Sequence, residues 1–245
     1  MEGFDLLQTS YWQPLAHFGF THSFFNLNMA TIINTWLVLI VLLILCLVMG
    51  FFLKYKNGKI RFIATSFVAS FIDLCEQIVG FFSAAHTGFI ISIFLFILLC
   101  NCISVLPWTE EPTQDLNTTL ALGIIVFIYC QAAAILHNGF WNYIKEYFAP
   151  FLIMLPLNII SKLASVVSIS FRLFGNIFGG ATIVAIYMSA IQGSILFETA
   201  GLLGLNWIMV GFFILFEGFL QAFVFAMLSF SYLSIAIHGE SGDEQ

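Results

Sequence analysis

Apolar residues in this chain run in long blocks, with polar and charged residues gathered into the breaks between them. Residues 29–53 form the first block, long enough for a membrane span of about 20 residues. Residues 88–106 and 119–137 give two more spans, joined by a connector from Pro107-Trp108 to Asn117 that carries three acids and no base. Two further blocks are too long for a simple crossing. As helices, residues 150–188 would extend roughly 58 Å and residues 202–235 roughly 50 Å, against a hydrocarbon core about 30 Å thick. Neither block has a turn-forming break, and ordinary tilts of about 20° do not absorb the excess. They predict two strongly inclined helices packed as a hairpin.

Residues 61–83 follow another pattern. Arg61, Thr65, Ser66, Ser70, Asp73, Glu76 and Gln77 fall broadly on one side of a helix. Two acids on that side would be costly in lipid, so the pattern predicts an amphipathic helix lying on the membrane surface. The expected fold class is therefore an all-α polytopic membrane protein with five membrane-embedded helices, at about 29–53, 88–106, 119–137, 150–188 and 202–235, and one surface helix at 61–83. Residues 1–28 read as an outer-side lead-in, 29–238 as a single membrane domain and 239–245 as a cytoplasmic tail.

Charge sets the orientation. Lys54, Lys56, Lys59 and Arg61 are four of the seven basic residues, and they cluster after the first span. That loop is cytoplasmic by the positive-inside rule, which places the N-terminus outside. The link containing Trp141, Tyr143, Lys145 and Tyr147 is cytoplasmic by the same logic, and the turn around Glu198 is outside.

Composition narrows the function. Of 245 residues, 61% are hydrophobic and 8% charged, whereas soluble domains carry roughly a quarter charged residues. A soluble enzyme is excluded, and a net charge of −6 argues against a nucleic-acid partner, which needs a basic face. Cys46, Cys75, Cys100, Cys102 and Cys130 have no zinc-site spacing and read as packed thiols. No Ser–His–acid pattern, H-E-x-x-H, phosphate loop or cofactor fingerprint occurs, so neither covalent chemistry nor a cofactor is expected of this chain.

Arg172 is the charge that needs a reason. A central arginine in a span costs about 2.5–3.5 kcal/mol even on the lenient insertion scale, and guanidinium cannot escape by losing its proton. On a helix, Ser165, Ser168, Arg172 and Asn176 share a face, beside the small-residue pair Gly175 and Gly179. This stripe suggests a hydrated surface. The last long block carries a second polar pair, Glu217 and Gln221, at i and i+4. Glu217 reads either as a permanent ion-pair partner of Arg172 or as a proton-relay carboxylate. A fixed cation with no nucleophile or metal site points to electrostatic control of a carboxylate that comes and goes: near Arg172 it ionises, and in lipid it must bind a proton or another cation.

The hexapeptide Phe171-Arg172-Leu173-Phe174-Gly175-Asn176 resembles the signature of subunit a of the F-type ATP synthase, the membrane stator beside the rotating c-ring. Four further stretches resemble that family in order: Phe94-Leu95-Phe96-Ile97 with Asn101 and Leu106-Pro107, Pro112 to Thr119, Leu155 to Ile160, and Gln221 to Phe225. The resemblance covers roughly residues 30–237. It implies that Arg172 faces the c-ring carboxylate, with Gln221 close by. It further implies that Asn176 lines a half-channel, Asp115 lies at the outer mouth and Ser168 lies on the cytoplasmic side. The implied ion is a proton or Na+. The implied partners are the c-ring, the peripheral-stalk subunit b, the rest of the ATP synthase and membrane lipid, most simply in a bacterial cytoplasmic membrane. The chain departs from the family where many members carry acids nine residues after and ten residues before the arginine. Ala181 and Lys162 stand there. Glu217 is the expected replacement for the first acid; some relatives place one about a turn earlier, where Ile214 stands. Lys162 has no assigned role beyond a place at the cytoplasmic interface.

Overall fold

Helices follow the apolar blocks closely. The computed structural model of the chain describes residues 11–12, 27–53, 58–103, 111–148, 155–191, 199, 204, 208 and 211–238. Most of the N-terminal lead-in, Lys54 and Lys56, Pro107-Trp108, the turn around Glu198, most of 201–210 and the tail 239–245 lie outside the described residues. A two-residue antiparallel ladder pairs β1 (Tyr11–Trp12) with β2 (Leu27–Asn28). It leads into α1 (Met29–Leu53), which is apolar all round and leaves Trp36, Leu43 and Leu47 largely exposed, as a lipid-facing helix does. Cys46 is exposed there too, against the expectation of a packed thiol, whereas Cys75, Cys100 and Cys130 are buried.

The block read as a surface helix forms α2 (Lys59–Val79), two residues earlier at its start and four shorter at its end than the pattern suggests. Gly80 stops it, taking a left-handed conformation (φ 83°) whose amide caps the Glu76 carbonyl. The helix is amphipathic as read: Ala64, Phe71, Cys75 and Val79 are buried, and all seven polar residues of the stripe are exposed. It is also long and apolar enough to cross a membrane, so among the described residues six helices rather than five meet that measure. Phe67 and Phe71 pack on Phe94 of α3 (Ala84–Cys102).

Helix α4 (Leu116–Asn138) starts three residues earlier than expected because Asp115 caps it, its carboxylate accepting from the Asn117 amide at 3.0 Å. A short 3-10 turn, Pro112–Gln114, precedes the cap. The link after α4 is helical, α5 (Phe140–Phe148), entered through Gly139 at φ 78°. Then α6 (Leu155–Ile191) runs unbroken for 37 residues, about 55 Å, in agreement with the length argument. From residue 211 the last block is a π-wound stretch, Gly211–Glu217, continued by α7 (Gly218–His238).

Three contacts fix the helix directions. A Cβ on Gly123 of α4 would collide with the Ser170 hydroxyl and lie 3.3 Å from the Val166 carbonyl, so the backbones of α4 and α6 approach closely at that glycine. Asn138, ending α4, donates to the Ile237 carbonyl near the end of α7 at 2.8 Å. A cavity of about 170 Å³ is lined by Cys130 and Gln131 of α4, Lys162 and Ser165 of α6, and Tyr232 and Ala236 of α7. Thus α6 runs antiparallel to both α4 and α7. The core joins α2, α3, α4, α6 and α7 through Phe94, Val126, Leu173, Phe225 and Phe230, among others.

Candidate functional site

The polar stripe of α6 lies on the side away from the core. Ile169, Ser170, Leu173, Ile177 and Gly180 face inward and are buried, so Ser168, Arg172 and Gly175 face outward and are exposed. A Cβ on Gly175 or Gly179 would meet nothing within 4 Å. Such a pair permits another backbone to approach closely, but among the described residues nothing does, and the face they leave is open. Arg172 makes no ion pair among the described residues.

Asn176 stands where the stripe turns toward α7. Its side-chain amide donates to Gln221 Oε1 at 2.7 Å. Gln221 is 1% exposed, so the bond is buried on the α7 side and open on the α6 side. The two helices are antiparallel, and this bond sets their register. Moving one turn back on α6 to Arg172 corresponds to moving one turn forward on α7, toward Phe225. Glu217, one turn back on α7, stands level with Gly180 and Ala181. Arg172 and Glu217 therefore flank the amide pair on opposite sides, about 12 Å apart along the axis at 1.5 Å per residue. The permanent ion pair left open by the sequence does not form among the described residues.

The other expected site residues are spread along this axis. Asp115 is half-buried at the Glu217 end, where it lines an open cleft of about 300 Å³ with Asn28, Thr31 and Trp36 of the α1 side. Its carboxylate also serves as the α4 cap, a role the spacing alone did not indicate. Ser168 is exposed one turn from Arg172 at the opposite end, and Ser165 beyond it is half-buried and donates to the Ser161 carbonyl. Lys162 has a local partner: its ammonium lies 5.4 Å from the centroid of the Tyr143 ring on α5. Tyr143 in turn donates to Gln131 Oε1 of α4. The lysine thus joins three helices at the end of the bundle where α6 begins.

Two polar residues with no role in the sequence reading are buried beside Glu217. Asn101, at the end of α3, donates to the Gly218 carbonyl at 2.9 Å and accepts from Thr113 at 3.0 Å. Both lie in stretches that carry the family resemblance, but nothing in those stretches indicates the contact, since the carbonyl that Asn101 meets is 117 positions away.

An all-α, multi-pass membrane protein with an arginine on the open face of a very long helix, beside an amide pair half-buried between that helix and the last one, is the class these features define. The chain belongs to the ATP synthase A chain family, which matches residues 32–234. It is 33% identical over 217 residues to ATP synthase subunit a of Moorella thermoacetica, covering 86% of this chain and 91% of that one. It is likewise 33% identical over 216 residues to ATP synthase subunit a 1 of Crocosphaera subtropica, covering 85% and 86%. To the subunit a of Albidiferax ferrireducens it is 30% identical over 222 residues, covering 89% and 90%. Family membership makes the chain a membrane stator component of the F-type ATP synthase, a complex that couples ion transport to ATP synthesis.

Proposed function

We propose that the chain carries ions to and from a carboxylate on the rotating c-ring through two offset half-channels, with Arg172 between them. The observation that carries this reading is the place of Arg172: mid-helix on α6, exposed, and without an ion partner among the described residues. A charge costing kilocalories in lipid is retained for a partner supplied from outside the chain. A ring carboxylate brought to that face gives up its ion, because the guanidinium favours the charged form. Carried away into lipid, it must bind an ion again. The same charge repels cations from the gap between the half-channels and so prevents leak.

In this reading Asp115 stands at the outer mouth, Glu217 is the outer relay in place of the acid missing at Ala181, and Asn176 and Gln221 line the path near the arginine. Ser168 belongs to the cytoplasmic half-path. The level placement of Glu217 with Ala181 supports the replacement. The chain itself does no covalent chemistry, and its cargo is a proton or Na+. The open α6 face receives the c-ring, and subunit b of the peripheral stalk joins elsewhere. The N-terminus lies outside and the C-terminus in the cytoplasm of a bacterial membrane, with α2 resting on the cytoplasmic surface, its seven polar side chains turned to water.

Replacement of Arg172 by alanine in the whole complex tests the reading. ATP synthesis in energised vesicles falls to background, passive ion leak is unchanged or raised, and the subunit assembles at its normal level because Arg172 makes no ion pair among the described residues that the replacement would break. Synthesis at the normal rate in that variant would refute the assignment.

A further inference from the structure

The first peptide of α7 is tied to the end of α3. Gly218 is its first residue, immediately after the π-wound stretch Gly211–Glu217. A Cβ at Gly218 would sit 2.9 Å from Asn101 Cβ and 3.4 Å from Asn101 Nδ2, so α3 and α7 meet here in a way only glycine allows. Asn101 and Thr113 are 2% and 0% exposed. Their side chains form a chain of two hydrogen bonds, from the Thr113 hydroxyl to Asn101 Oδ1 and from Asn101 Nδ2 to the Gly218 carbonyl. The clamp thus joins the end of α3, the turn before the Asp115 cap, and the first peptide of α7.

We propose that Asn101 is a positioning residue of the ion path. By clamping the Gly218 carbonyl, it fixes the rotation and depth at which the π-wound turn delivers Glu217 beside Ala181. The inference rests on Glu217 acting as the outer relay. A π-wound turn is rare and is found frequently at functional sites. Glu217 is bonded directly to the clamped residue, so a shift of the clamp moves its carboxyl group. Small misplacements of a proton-transfer group cost large factors in rate. Asn101 is suited to the task because its amide presents a donor and an acceptor at once. The donor meets a backbone carbonyl, which moves with the helix and not with a rotamer.

The test uses the assembled ATP synthase in inverted membrane vesicles, with one geometric and one functional readout. For geometry, cysteines are placed at positions 181 and 217 and oxidised, and the bridged peptides are quantified by mass spectrometry. With Asn101 present the bridge forms; with Asn101→Val it falls about tenfold or more, as expected for a displacement of about 1 Å or more. For function, in chains without the added cysteines, Asn101→Val lowers ATP-driven pumping per assembled complex by about tenfold to a hundredfold and shifts its pH profile. On a Glu217→Gln background it has no further effect. An undiminished bridge, an unshifted pH profile, or effects of Asn101→Val and Glu217→Gln that multiply would each overturn the proposal. Wild-type pumping by Glu217→Gln alone would instead remove the relay reading, and the bridge would still decide whether the clamp exists. If Asn101→Val does not assemble, Thr113→Val, which removes the hydrogen bond to Asn101 Oδ1, decides by the same readouts.

Discussion

The Asn176–Gln221 bond allows the hydration of the proposed path to be tested through stability. Asn176→Leu removes the donor and leaves Gln221 Oε1 in a site only 1% exposed. An acceptor stranded in that way costs about 1–3 kcal/mol. Gln221→Leu removes the acceptor instead. The Asn176 amide lies on the open face and, if that face is wet, turns to water, so only the net worth of one hydrogen bond is lost, about 0.5–1.5 kcal/mol. Replacing both by leucine strands nothing and is close to neutral. The assay is the rate at which the subunit is lost from the detergent-solubilised complex at fixed temperature, followed on native gels. At a factor of ten per 1.4 kcal/mol, the donor deletion speeds that loss about 5- to 150-fold where the bond is broken before the rate-limiting step. The acceptor deletion has a smaller effect, and the double replacement holds near the wild-type rate while transport is lost. Equal destabilisation by the two single replacements would mean that Asn176 faces a dry surface, and the hydrated path would have no basis. A wild-type rate for Asn176→Leu would remove the bond itself.

Glu217→Gln lowers proton pumping on the order of a hundredfold, the lower range for a positioned proton-transfer group, and Ala181→Glu added to it restores part of the rate; pumping assays on the single and double variants check both. Gly123→Ala drives a methyl into Ser170 and toward the Val166 carbonyl, destabilising the α4–α6 contact by about 1–3 kcal/mol; subunit levels in membranes fall, and Ser170→Gly in the same chain recovers them. Lys162→Ala, which removes the cation from the Tyr143 ring, costs about 0.5–1 kcal/mol and leaves ATP synthesis unchanged, whereas strong loss of synthesis would give the lysine a place in the ion path.

What was legible in the sequence was local. The unbroken 37-residue α6 follows from an apolar block without a turn signal, and the open polar face follows from the spacing of Ser168 and Arg172 on one helix. The polar stripe of α2 needed only periodicity. Helix ends were misjudged where a cap set them: Asp115 began α4 early, and Gly80 ended α2 early. The nine-residue α5 was hidden because aromatic residues and one lysine mark an interface equally well as a link or a helix. The clamp on Gly218 was not legible, since nothing in an apolar run indicates which carbonyl a lone asparagine will meet 117 positions away.

The relation between Arg172 and Glu217 required the register of two antiparallel helices, and it bears directly on mechanism. Each charged residue precedes its amide by four positions, which in sequence looks like a matched pair of faces. Antiparallel packing reverses one of them, so matching Asn176 to Gln221 sends the charges to opposite sides of the amide bond. At a contact distance of 4 Å and an effective dielectric constant near 20, two unit charges attract by about 4 kcal/mol, enough to hold a carboxylate permanently ionised and useless as a relay. At about 12 Å the same expression gives about 1.4 kcal/mol, a third of the contact value. Glu217 is thereby left free to bind and release protons while the guanidinium keeps its charge for a visiting carboxylate. Moving the acid onto α6 next to the arginine, as Gly175→Glu with Glu217→Gln, restores the short distance on the open face. That variant is expected to assemble and to fail in both synthesis and pumping; active transport in it would show that separation of the two charges is not what the hairpin register secures.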